Sequence, residues 1–185
     1  MPRYCAFFGS INVGGNRLTM TELRSAFAAE GFENVETVVA SGNVLFDFDA
    51  RPTPGLEEKL GIMMAEKFSM KSIVAVRDRD EIAAAIADNP YSANGDPSRV
   101  HTMFLDGQGD PDQFNVLLAD HADHGREKMA LGDRALYINF VEGVAGSKLS
   151  ATWLERRLGR RGTARNIRSL TRILAKLDEA GEGGA

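Results

Sequence analysis

The residues with chemistry to offer fall in four short strings. Gly9-Ser10-Ile11-Asn12-Val13-Gly14-Gly15-Asn16 follows an apolar run and has glycines at the two positions of a P-loop. A P-loop then needs Lys and Ser or Thr, the first for phosphate charge and the second for magnesium. Gly15-Asn16 stands there instead, so nucleotide triphosphate hydrolysis by this route is rejected. The G-x-G-x-x-G dinucleotide fingerprint is not met either. What remains is a strand-to-helix loop whose backbone N–H groups, around Asn12, Gly14 and Gly15, can cradle a small anion. Its competing reading is a turn that needs positive φ at one glycine.

The second string, Ser41-Gly42-Asn43, consists of turn formers and reads as a hairpin connection. In a split βαβ fold this turn and the first loop are expected at opposite ends of adjacent strands, so a joint site does not follow. The third, Ser147-Lys148, stands at a helix start. Ser/Lys hydrolases need S-x-x-K spacing or a buried, distant lysine, so Ser147 reads as a cap and Lys148 as a solvated cation. The fourth is Thr163-Ala164-Arg165-Asn166. Thr163 is expected to cap the last helix, with Arg165 and Arg168 on its first turn. Cations there oppose the helix dipole, which makes sense if an anion docks beside them, either an internal carboxylate or a ligand.

The other reactive types give less. His121 and His124 share a helix face at i, i+3, a spacing that can hold a metal with Asp120 or Asp123. No third ligand accompanies them, and Asp-His-Ala-Asp-His-Gly reads as a solvated helix end. His101 has no nameable partner. Cys5, inside an apolar strand, reads as a small core residue with no base to make it a nucleophile. No cofactor motif and no metal site is expected.

Elements must position these strings. Arg3–Val13 opens with a β-type run. Thr19 or Thr21 caps a helix with Leu18, Leu23 and Phe27 on one face, stopped by Gly31. Residues 35–40 and 44–49 are β-rich. Pro52 and Pro54 introduce a helix with Leu56, Leu60, Met63, Met64 and Phe68 on one stripe. Ile73–Val76 is a further strand. The order β-α-β-β-α-β is that of the ferredoxin-like plait. The second half echoes it: a linking helix at 80–88, a strand at 100–105, a helix at 111–122, a hairpin across Gly132-Asp133, and a helix at 149–158. Its sixth strand is not legible, because Gly159–Gly162 is basic and glycine-rich. A final helix spans 165–179. The expected fold is α+β, two tandem ferredoxin-like (α/β plait) halves with antiparallel sheets and helices on one face. The expected domains are 1–78 and 79–185.

Charge is unevenly placed. Lys148–Lys176 holds nine basic residues against one acid, Glu155, a net of +8, so the remainder of this −4 chain carries −12. Either the segment is clamped to the protein's own acids, the preferred reading, or it faces an anionic partner. No apolar run reaches the ~20 residues of a membrane span. A lone cysteine and no leader pattern point to the reducing cytoplasm.

Several of these strings occur together in one known family. Ile11-Asn12-Val13-Gly14-Gly15, Met20-x-x-Leu23-Arg24, Gly31-Phe32 and Ser41-Gly42-Asn43-Val44-Leu45-Phe46 come in that order. Asn89-Pro90-Tyr91, Gly146-Ser147-Lys148-Leu149 and Thr163-x-Arg165-Asn166 follow. In this the chain resembles the bacterial family known as domain of unknown function 1697 over nearly its whole length. The resemblance implies two ferredoxin-like halves and no established activity. Two positions depart from the family pattern: Gly9-Ser10 stands where Arg-Gly is usual, and Ile167 where Trp is usual.

Taken together, these strings lead to a small anionic ligand, bearing phosphate or carboxylate, held by Asn12, Gly14, Gly15, Ser41, Asn43, Lys148, Thr163, Arg165 and Asn166. No acid/base pair or nucleophile stands out, so the reaction is unassigned. Two other classes compete. A nucleic-acid or protein partner could use residues 148–176, but neither Cys5-Ala6-Phe7-Phe8 nor Leu136-Tyr137-Ile138-Asn139-Phe140 matches the aromatic RNA-reading motif. A self-assembling module would leave one sheet face apolar and uncovered.

Overall fold

The computed structural model describes residues 1–11 and 18–182. Asn12, Gly14 and Gly15 therefore lie outside the described residues. The element order is β1 Arg3–Phe8, α1 Met20–Ala29, β2 Glu33–Val38, β3 Ala40–Asp47, α2 Thr53–Phe68 and β4 Val74–Asp78. α3 Arg79–Ala87 leads to β5 Val100–Leu105, α4 Pro111–His121, β6 Lys128–Gly132, β7 Ala135–Asn139, α5 Ala151–Leu158, β8 Gly162–Asn166 and α6 Ile167–Glu182. Two four-stranded antiparallel sheets result, ordered β2-β3-β1-β4 and β6-β7-β5-β8. Each has the strand order of a ferredoxin-like plait, so the α+β duplication read from element order is the fold. The chain forms two compact units, Met1–Ile82 with Arg172–Ala185, and Ala83–Thr171.

In the first unit Thr19 caps α1 through a capping box. Its hydroxyl accepts from the Glu22 N–H at 3.2 Å, and the Glu22 carboxylate accepts from the Thr19 N–H at 2.8 Å. Gly31, at φ +85, supplies the left-handed residue that ends the helix. α1 and α2 then lay Leu23, Phe27, Leu56, Leu60 and Met63 against Ala6, Phe8, Val44 and Phe46. Phe46 meets Phe27 and Phe32 edge-on, at 5.7 and 5.0 Å between ring centroids. Each such side chain, fully removed from water, contributes roughly 1.5–3 kcal/mol. The opposite face of the sheet is equally dry: Cys5, Phe7, Leu45 and Ala75 are all 0% exposed. Cys5 is the buried core cysteine expected.

The second unit repeats the scheme. Phe114 and Leu117 of α4 and Leu154 and Leu158 of α5 pack on Met103, Leu105, Leu136 and Ile138. Asp110 caps α4 by accepting from the Asp112 and Gln113 N–H groups. Ser150 caps α5 by accepting from the Trp153 N–H at 3.1 Å.

Four local expectations are corrected. Ser41-Gly42-Asn43 is not the hairpin turn: these residues lie inside β3, and the chain reverses at Val39, whose φ is +64. Because β1 and β3 run antiparallel with Phe7 opposite Asn43, the exit of β1 and the β2–β3 turn share one end of the sheet rather than opposite ends. The missing strand exists as β8, from Gly162 to Asn166, paired to β5. The last helix consequently starts at Ile167, so Arg165 is a strand residue and not on a first helical turn.

Edge strand β4 shows how the chain closes an exposed ladder. The Val76 N–H donates to the Glu57 carboxylate at 2.9 Å, and the same oxygen sits 2.5 Å from the Arg77 guanidinium, whose side chain is only 3% exposed. An edge N–H that is capped from a helix cannot template another strand. Glu57→Ala strips a buried guanidinium of this carboxylate, and the expected cost is about 3 kcal/mol, read from urea unfolding. A cost no larger than that of an exposed Glu→Ala change would contradict this role.

Candidate functional site

Of the nine residues expected at a site, the six described ones have distinct places in the fold. Ser41 and Asn43 lie in β3. Asn43 is 0% exposed and its amide donates to the Val38 carbonyl at 3.2 Å, which braces the reversal at Val39. Thr163, Arg165 and Asn166 lie in β8 and are brought together. The Arg165 guanidinium donates to the Thr163 hydroxyl at 2.7 Å and to the Ala164 carbonyl at 2.9 Å. It is half-buried rather than extended into solvent. Thr163 is not the helix cap. Asn166 performs that task, accepting from the Ser169 N–H at 2.8 Å. A short polar acceptor is needed one residue before the first helical position, and β8 places Asn166 there.

Lys148 occupies a different setting. It lies on the loop before α5 and borders a cavity of about 250 Å³ wholly within the second unit. Trp153 and Leu149 supply the apolar walls, with Asp120, His121, His124 and Arg157 around them. The Arg157 guanidinium pairs with Asp120 and stands 5.4 Å from the Trp153 ring centroid. Lys148 itself is exposed and makes no ion pair or side-chain hydrogen bond among the described residues.

Behind the cavity wall is a polar chain that the sequence did not suggest. Ser147 is not a helix cap; its hydroxyl donates to Glu127 and accepts from the Leu149 N–H at 3.1 Å. The other Glu127 oxygen stands 3.0 Å from His121 Nε2, in contact but off the hydrogen-bond line. The side chains of His121 and Glu127 are 6% and 11% exposed, so in the helix end expected to be solvated His121 is instead a wall of the cavity, while residues 122–125 are exposed. Burial pushes the Glu127 carboxyl up, but the Ser147 hydroxyl, its own backbone N–H and His121 outweigh burial and hold it below its ordinary value. His124 remains at the surface, with Nδ1 2.7 Å from the Asp120 carbonyl.

A signal for His121 did exist. It continues the Phe114, Leu117 stripe of α4 at the next inward position, and Trp153 of α5 packs near it at 6.2 Å. Glu127 and Arg157 carried no such sign, since their partners come from other elements. His101, half-buried with its ring 4.9 Å from that of Phe140, has its pKa lowered from the ordinary imidazole value by desolvation. Among the described residues no group of three or more His, Cys, Asp or Glu is placed to hold a metal ion. Among them, too, no helix is long and apolar enough to cross a membrane.

Fold and cavity together define a duplicated ferredoxin-like protein with a small cation-rimmed pocket in its second half. The chain belongs to the family described as protein of unknown function (DUF1697), whose model matches residues 1–137. Lys148, Trp153 and Arg157 lie beyond the matched span. It is similar in structure to a conserved bacterial protein, SP0830 from Streptococcus pneumoniae, with a TM-score of 0.62 and 22% identity. That match covers 96% of this chain and 99% of the other, and it shows the fold. No curated protein matches the chain.

A carboxylate held low in the fold adds stability above its ordinary value of 4.5 and loses it as pH falls through the depressed value. Unfolding free energy should therefore drop on acidification below 4.5, and Glu127→Gln should flatten that drop while lowering stability at neutral pH. Parallel acid slopes for the two proteins would contradict the coupling. Asn166→Ala should cost about 1 kcal/mol by loss of the cap, measured as a shift in the urea midpoint; no shift would remove Asn166 from that role.

Proposed function

We propose that this protein binds a small anionic ligand, carrying phosphate or carboxylate, and that the cavity bordered by Lys148 is where the anion is held. The observation that carries this reading is Lys148 itself: a lysine beside an apolar-walled cavity, with no acid paired to it among the described residues. A concave site with apolar walls and a few polar groups is the usual form of a small-molecule pocket. The polar strings at Asn12, Gly14 and Gly15 and at Thr163, Arg165 and Asn166 remain candidates for a second anion contact under the same reading.

The nucleic-acid reading has less support. Within the basic segment, Arg157 pairs with Asp120, Arg161 lies 3.6 Å from Asp106, and Arg160 donates to the Gln108 carbonyl at 3.1 Å. These guanidinium groups are directed at the protein's own acceptors. Nucleic-acid binding by residues 148–176 would be strongly salt-dependent.

Calorimetric titration with small carboxylates and phosphates tests the proposal. Lys148→Met, which keeps the apolar stem, should weaken the anion that binds by about 1.4 kcal/mol, or tenfold, and leave thermal stability unchanged. Sub-micromolar binding of short RNA or DNA at physiological salt, lost when Arg156, Arg157, Arg160 and Arg161 are reversed, would overturn the ordering of the two readings.

A further inference from the structure

We infer that the ligand of the second-unit cavity is a singly charged carboxylate on a small aromatic body, rather than a nucleotide or a multiply charged phosphate. This rests on the anion-binding reading of the same cavity and narrows it by size, charge and wall chemistry.

Size comes first. The cavity holds about 250 Å³. An apolar cavity of about 150 Å³ accommodates benzene, and pockets for drug-sized ligands run from about 300 to 1,000 Å³. One ring with one acidic substituent fits between those limits. A base, sugar and phosphate together would extend beyond these walls.

Charge narrows the head group. Arg157 and Asp120 form a neutral pair at the rim. His121 faces the Glu127 carboxylate at 3.0 Å, and that carboxylate is kept ionised by Ser147 and its other contacts. His124 contributes an exposed ring at the edge. Lys148 is the one lining cation with no ion-pair partner among the described residues. A monoanion is matched by that single charge. A dianionic phosphate would leave excess negative charge close to Asp120 and Glu127, where partial burial weakens screening.

The walls select the body. Leu149 and Trp153 are the apolar surfaces, and the indole carries Arg157 near its ring. Indole against a second aromatic ring gains beyond plain area burial when the rings are offset or edge-on. Lys148 and Leu149 are adjacent in sequence, and both border the cavity, so a cation and an apolar wall come from neighbouring residues. A carboxylate attached directly to a ring, as in benzoate, likewise joins one charge to one flat apolar surface.

The chain contains a single tryptophan, and it lines the cavity. Its fluorescence therefore reports occupancy without a label. The experiment titrates the full chain with benzoate, inorganic phosphate, acetate and benzyl alcohol, and repeats the benzoate titration on Lys148→Met. Saturable quenching or shift by benzoate is expected at about millimolar concentration, the range for a ligand of this size. Phosphate, acetate and benzyl alcohol should each bind at least about tenfold more weakly, and Lys148→Met should weaken benzoate by a similar factor. Phosphate binding as tightly as benzoate, with loss in Lys148→Met, would overturn the aromatic carboxylate and leave the anion reading standing. Benzyl alcohol binding as tightly as benzoate, or no response to any of the four, would overturn both.

Discussion

Strand β1 is buried on both faces: from Tyr4 to Phe8 no residue is more than 3% exposed. Its counterpart β5 is nearly as dry, with Val100 and Thr102–Leu105 all at or below 2%. That double burial is the constraint on which the rest depends. A strand enclosed on both sides must be apolar at successive positions, or satisfy each polar group internally as Thr102 does through the Ala85 carbonyl and Asn89. Polar groups able to meet a ligand are thereby displaced from the sheet surfaces to helix ends, loops and edge strands. The cavity beside Lys148, at the junction of α4 with the loop entering α5, is a product of that displacement.

The same constraint explains which parts of the fold were legible. The first half could be read element by element because its helices carry regular apolar stripes, at Leu23 and Phe27 and from Leu56 to Met64, and its ends carry Thr19, Gly31 and two prolines. β8 was missed because it is an edge strand. Only Gly162 and Thr163 are buried there, and Ala164–Asn166 face outward or sit half-buried, so no alternation of apolar residues announces it. Extending the last helix back to Arg165 followed from that gap, and it moved the cap from Asn166 to Thr163.

At Ser41-Gly42-Asn43 the error has another origin. Three turn-forming residues in a row are a strong local signal, but Asn43 serves the turn from inside β3, as a buried donor to the Val38 carbonyl. The reversal falls on Val39, a β-branched residue at positive φ, a placement no local propensity favours. Of the candidate site, Lys148 was legible as a motif residue, yet its surroundings were not. His121 was read by its polar neighbours Asp120 and Asp123 rather than by its phase with Phe114 and Leu117. Glu127 has meaning only once β6 is placed beside the end of α4 and Ser147 is folded over it.

The proposed anion site is the second-unit cavity, with a lysine at the mouth, an apolar wall beside it, and a buried carboxylate-backed imidazole behind. A crystal structure of the full chain grown with benzoate tests this most directly. The expected result is the ring between Leu149 and Trp153, with the carboxylate within about 3.2 Å of Lys148 Nζ. Benzoate bound elsewhere on the chain, or in the cavity with its carboxylate turned away from Lys148, would contradict it.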